Sequence, residues 1–154
     1  MKITAIIISR NDNYGGHLLE RATYAINSAI ATYDEVIYVD WNSDTQSFLY
    51  EVMDLFPHTG RLKHFIIPPE YASMMTMNDE KAQVCNTVLA FNIGIRRTDA
   101  EWIVLATTDI IPPTKEKLND FLNVANKNAM YTLSRRDIEY DEVLTNLPRL
   151  DEYR

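Results

Sequence analysis

The side chains best suited to chemistry in this chain lie in three short polar segments, each directly after an apolar, strand-like run. They are Ser9, Arg10 and Asn11 after the first run, Asp40 and Asn42 after the second, and Thr107, Thr108 and Asp109 after the fourth. Carboxylates and amides at the ends of parallel strands face the crevice in which open α/β sheets bind ligands. The sequence therefore predicts that the three segments meet in one binding site.

Asp40 is the leading candidate, because it follows the buried-strand pattern of residues 36–39. A carboxylate in that place can accept hydrogen bonds from ribose hydroxyls or from a nucleobase N–H, as the acidic residue of dinucleotide-binding folds does. Its alternative role is to cap the turn at Asn42 and Ser43. Arg10, in the first segment, is suited to stack on or donate to a base or a phosphate. Both residues favour a nucleotide as the ligand.

Asp109 is the candidate metal ligand. A hard cation such as Mg²⁺ or Mn²⁺ needs only one or two protein carboxylates when substrate phosphates complete its coordination shell. Asp109 follows two hydroxyl side chains and precedes Pro112 and Pro113. The alternative is an ordinary turn Asp at the entry to a helix, and spacing alone does not decide between the two.

The elements that would position these segments alternate along the chain. Predicted strands cover residues 3–8, 36–39, 62–67 and 102–106, with a fifth at 130–133. Predicted helices cover residues 17–33, 80–97 and a stretch after Pro112–Pro113, and another runs from a Ser43–Gln46 capping box to Pro57. Such alternation is typical of a mostly parallel sheet with helices on both faces. We expect an α/β fold in which residues 1–154 form a single α/β/α sandwich domain.

Several further residues are expected to be structural. Cys85 lies in a helical pattern and is predicted to be a small core residue, and as the only cysteine it cannot form an internal disulfide. The loop after Pro68–Pro69 contains three methionines, for which packing under the loop is favoured over an adaptable binding lip. They are Met74, Met75 and Met77. The three histidines are predicted to be surface or loop residues. They are His17, His58 and His64.

Composition and missing motifs exclude several classes of function. The net charge of −7 argues against a nucleic-acid groove or an anionic membrane surface as partner. No apolar run approaches the roughly 20 residues of a membrane span, and no signal peptide is recognisable, so we expect a cytoplasmic protein without membrane insertion. The first loop, SRNDNYGG, lacks the G-x-G-x-x-G of dinucleotide enzymes. A receiver-like domain is opposed by Ile66-Ile67-Pro68, where an Asp would be needed.

Three stretches together resemble the nucleotide-sugar-binding half of GT-A fold glycosyltransferases, most closely those of family 2. They are ITAIIISRNDNY, DEVIYVDWNSD and FNIGIRRTDAEWIVLATTDI. In that family the second strand runs into a D-x-S-x-D-like turn, and an N-x-G-x(4–5)-A segment leads to a strand that ends in D-x-D. Asn92, Gly94 and Ala100 fall where the family places that segment. The resemblance covers residues 3–113.

The resemblance implies roles for the candidate residues. Asp40 would contact the base, commonly a uracil, with Asn42 near the base or ribose and Ser9, Arg10 and Asn11 lining the nucleoside pocket. Thr107, Thr108 and Asp109 would occupy the D-x-D place, with Asp109 as the carboxylate that meets Mn²⁺ or Mg²⁺ on the diphosphate. Thr107 departs from the family pattern, because it replaces the first Asp.

The function implied is that of a glycosyltransferase that moves a sugar from a nucleotide-diphosphate donor, with a UDP-sugar favoured, to an unknown acceptor, with inversion. Such enzymes usually continue past a chain of this length into an acceptor-binding segment that carries the general base. The tail contains four carboxylates, none of which can be assigned as base. They are Asp137, Glu139, Asp141 and Glu142. The alternative is a non-catalytic nucleotide-binding or assembly module of the same fold.

Overall fold

The computed structural model describes residues 1–12, 15–43, 60–77, 79 and 85–132. Four strands within them form one parallel sheet in the order β3-β2-β1-β4. The elements in chain order are β1 (Ile3–Ser9), α1 (Leu18–Thr32), β2 (Glu35–Trp41), β3 (Leu62–Ile67), α2 (Pro69–Met75), α3 (Thr87–Ile95), β4 (Trp102–Thr107) and α4 (Lys115–Val124). The predicted α/β fold with a parallel sheet is confirmed.

Helices cover both faces of the sheet. On one face Ile26 of α1 and Leu118 of α4 belong to the same apolar cluster as Tyr38 of β2. On the other face Ala72 of α2 and Ile93 of α3 pack with the opposite side chains of β1 and β2. The result is the predicted α/β/α sandwich, with β1 and β2 buried along their whole length.

The observed strands extend further than their apolar runs. Ser9 is the last residue of β1, Asp40 lies within β2, and Thr107 is the last residue of β4. Backbone pairing continues through these polar residues, with Ser9 opposite Asp40 and Ile8 opposite Thr107. Ladder hydrogen bonds use main-chain groups only, so polarity of the side chain does not end a strand. The three candidate residues therefore have side chains in the fixed directions of a pleated sheet.

Helix α2 was missed by the sequence interpretation, which took Pro68–Pro69 as the end of β3 and the start of a loop. Pro69 instead occupies the first turn of the helix, where a missing N–H costs nothing. The prediction of packed methionines was also wrong, because Met74 is 73% and Met77 91% exposed.

Helix α3 begins at Thr87, so residues 85 and 86 of the predicted helix over residues 80–97 are not helical, whereas residues 80–84 lie outside the described residues. The Asn86 side chain accepts a hydrogen bond from the Leu89 N–H at 3.0 Å, and this cap starts the helix. Cys85 precedes the cap and is exposed, so its prediction as a core residue was wrong. The predicted fifth strand is also wrong over residues 130–132, which form no strand. Thr114 caps α4, since its hydroxyl accepts a hydrogen bond from the Lys117 N–H.

Gly94 brings α3 close to the sheet. A Cβ atom at this position would lie 2.4 Å from Cγ2 of Ile6 in β1. No real Cβ makes so short a contact, so the glycine is required by packing rather than by backbone conformation.

The amino edge of the sheet holds an ion cluster around one buried carboxylate. Glu35 is 6% exposed and accepts hydrogen bonds from the hydroxyls of Thr4 at 3.0 Å and Thr98 at 3.1 Å. Lys63 and Lys2 pair with the same carboxylate. Burial of Glu35 opposes its charge, but the hydrogen bonds from Lys63, Thr4 and Thr98 outweigh burial and hold the pKa of the carboxyl below its ordinary value.

Some predictions fall outside the described residues. They are the helix from the capping box at Ser43 to Pro57, His58, and the tail carboxylates. Among the helices that are described, none combines the length and hydropathy needed to cross a bilayer.

Candidate functional site

The three predicted polar segments lie at the carboxyl edge of the sheet. β1 is flanked by β2 on one side and by β4 on the other. Ser9 is in register with Asp40. Thr107 pairs with Ile8, so it lies one residue further from the carboxyl edge. Asp40 and Thr107 are therefore two interstrand spacings apart, or roughly 10 Å. The structure brings all three segments to one edge, while the ligand roles of their residues stay predictions.

Asp40 is completely buried, and its two carboxylate oxygens differ in their partners. Oδ1 accepts a hydrogen bond from the Ser43 hydroxyl. Oδ2 is buried and has no hydrogen-bond partner in the described part of the chain. Leaving a buried acceptor unsatisfied costs about 1–3 kcal/mol, and more if it is charged. Oδ2 is thus an acceptor that a ligand N–H or O–H would stabilise.

Ser43 connects the end of β2 to the first loop. Its Oγ accepts the Asn11 N–H at 2.8 Å while its own proton goes to Asp40. The sequence interpretation gave Ser43 only a capping role. Residues 11 and 43 are far apart in the chain, so no local pattern could reveal this contact.

Asn42 turns the chain between Asp40 and Ser43. Its backbone lies in the left-handed region with φ 52°, and it is buried. Its N–H donates to Ile67 O at 2.7 Å, which ties the turn to the end of β3. Asn tolerates this conformation better than most residues. The observed role of Asn42 is to shape the turn, and its predicted place near the base or ribose stays a prediction.

Ser9 contacts Tyr38, a buried residue that pairs with half-buried His64. Its hydroxyl shares a hydrogen bond with the hydroxyl of Tyr38, whose ring centroid is 5.3 Å from that of His64. Burial, and then the charge of Asp40, raise the pKa of Tyr38 well above its ordinary value. Burial lowers the pKa of His64, although the charge of Asp40 opposes this shift. Both side chains are therefore neutral at pH 7.

The predicted surface or loop position is wrong for His64, which is half-buried in β3. His17 is exposed at the start of α1, as predicted. The alternation of side-chain direction along β3 could have indicated that His64 is partly buried. His64 lies on the same sheet face as Leu62, which packs against the apolar cluster that contains α1.

Arg10 directly follows Ser9 in the first segment and lies close to Cys85. The Arg10 side chain is only 14% exposed, and its Nε is 3.9 Å from Oδ2 of Asp12. Cys85 is exposed as a residue, although partial burial of its thiol and the charge of Asp12 raise the thiol pKa against the opposing charge of Arg10. Cys85 therefore borders the first loop.

The third segment forms a tight turn. The Thr107 hydroxyl donates to Oδ1 of Asp109, and Thr107 O accepts the Ile110 N–H at 3.2 Å. Asp109 is exposed, whereas Thr108 is buried. The described residues contain no group of three or more His, Cys, Asp or Glu side chains able to hold a metal ion. The donor set therefore fits a hard cation only if substrate phosphates supply most of its ligands.

Comparison with known proteins gives only remote structural similarity. No family model matches the chain. No curated protein matches it. The crystal structure of S. aureus TarS 1-349 is similar over 80% of this chain and 32% of that chain, with 19% sequence identity and a TM-score of 0.48. The chain thus spans about a third of the length of that structure. The similarity identifies neither a ligand nor a reaction for this chain.

Proposed function

We propose that the chain binds a nucleoside diphosphate sugar at the carboxyl edge of its sheet and acts as the donor-binding part of a glycosyltransferase. The observation that carries the proposal is the buried Asp40 carboxylate, in which one oxygen is held by Ser43 and the other has no hydrogen-bond partner among the described residues. A nucleobase that presents a ring N–H would satisfy that oxygen, and uracil does so through N3. Thymine and guanine also present a ring N–H, and it is the family resemblance that makes uracil the favoured base.

The remaining edge residues fit the rest of a nucleotide. From a base held at Asp40, the ribose and diphosphate run across the end of β1 toward Thr107 and Asp109. Arg10 supplies positive charge that donates to phosphate oxygens. A span of roughly 10 Å between Asp40 and Thr107 is one that a nucleoside diphosphate can bridge.

Asp109 would hold Mn²⁺ or Mg²⁺ together with the diphosphate oxygens. When bound, such a cation neutralises negative charge that develops on the leaving diphosphate. Arg10 contributes to the same neutralisation by hydrogen bonding. The acceptor and the general base are not assigned, and an inverting outcome is expected only from the family resemblance.

A second candidate function is a nucleotide-binding module without catalysis. Thr107 favours it, because a hydroxyl stands where the resembled family has the first carboxylate of D-x-D, and that hydroxyl is bonded to Asp109. Loss of one carboxylate weakens a cation site that already relies on substrate oxygens.

Calorimetry with UDP, GDP, TDP and CDP, with and without Mn²⁺, tests the proposal. We expect UDP to bind, the isosteric variant Asp40→Asn to lose binding, and Asp109→Asn to lose only the Mn²⁺-dependent part. Failure of every nucleotide to bind the wild-type chain would contradict both candidate functions. Assays of hydrolysis and transfer with UDP-sugars then separate them, because the module predicts binding without turnover.

A further inference from the structure

We propose that Ser43 is a positioning residue that sets the base preference of the site by fixing the orientation of the Asp40 carboxylate. The inference rests on the proposed function, because it assumes that Asp40 accepts a hydrogen bond from the base. The inference adds a residue that influences which base is bound without contacting the ligand itself.

The hydrogen bonds of Ser43 determine where its proton lies. A serine hydroxyl has one proton and two lone pairs. The Asn11 N–H donates to Oγ at 2.8 Å, so it occupies a lone pair and leaves the proton for Oδ1 of Asp40. Ser43 is itself buried, at 9% exposed, so water does not compete freely for either bond. The carboxylate is thus held from one side by a donor whose own direction is fixed.

This arrangement leaves one Asp40 oxygen for a ligand. Oδ1 is occupied by Ser43, and Oδ2 is the oxygen without a hydrogen-bond partner among the described residues. The turn at Asn42 supports the geometry from the backbone side, because its N–H is bonded to Ile67 O at 2.7 Å. Rotation of the Asp40 carboxylate would break the Ser43 hydrogen bond, so Oδ2 keeps one position.

A fixed single acceptor discriminates between pyrimidine bases. Uracil presents a proton at N3, whereas cytosine presents a lone pair at N3 and donor protons on the neighbouring amino group. An oxygen that is held against N3 accepts from uracil and is repelled by cytosine. A carboxylate that is free to rotate can turn toward the cytosine amino group and recover a hydrogen bond. Ser43 therefore lowers the affinity for cytosine nucleotides more than it raises the affinity for uracil nucleotides.

The test is the ratio of the CDP and UDP dissociation constants, measured by calorimetry on the full chain. Ser43→Ala removes both hydrogen bonds and is expected to lower the ratio by about 5- to 10-fold, as loss of a typical hydrogen bond implies. Ser43→Cys keeps the side-chain shape with a larger atom that is a weaker donor, so an intermediate ratio is expected.

Thr4→Val is the matched control. It also removes a buried hydroxyl that bonds a carboxylate, but at the amino end of β1, where Thr4 contacts Glu35. We expect it to lower the midpoint of thermal unfolding without changing the ratio of the dissociation constants. Unfolding curves for all variants separate loss of stability from loss of selectivity.

The outcomes separate this inference from the proposed function. If wild type binds no nucleotide, the proposed function itself fails. If wild type prefers UDP and both Ser43 variants keep its ratio, only the role of Ser43 is overturned. If neither Ser43 variant folds while Thr4→Val does, Ser43 serves the fold rather than the base, and the inference is again overturned.

Discussion

At the scale of single residues, the polar edge depends on backbone conformation as much as on side-chain chemistry. Asn42 has a positive φ of 52° in a buried turn. We expect Asn42→Gly to unfold at nearly the same urea concentration as wild type, whereas Asn42→Val loses about 1–2 kcal/mol of the free energy of unfolding, because a β-branched residue is strained there. Equal losses in both variants would show that the Asn42 side chain, not its φ angle, stabilises the turn.

His64 gives a pH dependence whose sign follows from its environment. Its pKa in the folded chain lies below the ordinary value of 6.5, because burial disfavours the charged ring more than Asp40 favours it. The unfolded chain then binds more protons, so stability is complete above pH 6.5 and falls as the pH drops from there through the lowered folded pKa. We expect urea midpoints to decrease over that window.

The control for this prediction is His64→Phe, which keeps a ring next to Tyr38 and cannot titrate. We expect the decrease between pH 6.5 and 5 to be smaller in the variant than in wild type. Identical decreases in both proteins would assign the effect to other groups.

At the scale of elements, the packing of α3 on β1 predicts that a Gly-to-Ala substitution in α3 destabilises the protein, although helix propensity alone predicts that it stabilises. Replacing a helical Gly with Ala ordinarily stabilises by up to about 1 kcal/mol. Gly94→Ala is instead expected to lower the free energy of unfolding by about 1–3 kcal/mol, because the new Cβ would overlap Cγ2 of Ile6. Denaturant unfolding measures the change.

The matched test is the double variant Gly94→Ala with Ile6→Ala. Removing the Ile6 side chain opens space for the new methyl group, so the two costs should be less than additive. Additive costs would mean that the contact between Gly94 and Ile6 does not limit the approach of α3.

The elements also show what a single sequence can and cannot predict. The limits of β3 were correct, because Pro68 ends an apolar run cleanly. The start of α3 was misplaced, since the periodic apolar residues extend past the Asn86 cap that begins the helix. The candidate edge was predictable because Ser9, Asp40 and Thr107 follow strand patterns. The contact between Ser43 and Asn11 was not predictable, because it depends on how β1 and β2 pair.

At the scale of the whole molecule, the only cysteine can report on the candidate site. Cys85 is exposed and lies within the electrostatic reach of Arg10 and Asp12. We expect saturating UDP to slow reaction of its thiol with a disulfide reagent several-fold, because a ligand at the first loop covers the neighbouring segment. Reaction rates are followed by absorbance.

Two controls define the outcome of the thiol measurement. Asp40→Asn, which is expected to lose UDP binding, should show no protection at the same UDP concentration. A short cysteine peptide should react at the same rate with and without UDP. Equal protection in wild type and Asp40→Asn would place bound UDP somewhere other than the carboxyl edge.

The ion cluster of Glu35 and the polar edge lie at opposite ends of the same strands. Asp40 is the fifth residue after Glu35 along β2, a distance of about 16 Å. Substitutions that far apart usually have additive effects on the free energy of unfolding. Stabilising substitutions near Glu35 can therefore be combined with a library of substitutions near Asp40 that change ligand selectivity. The added stability would allow selective but destabilising variants to stay folded during screening.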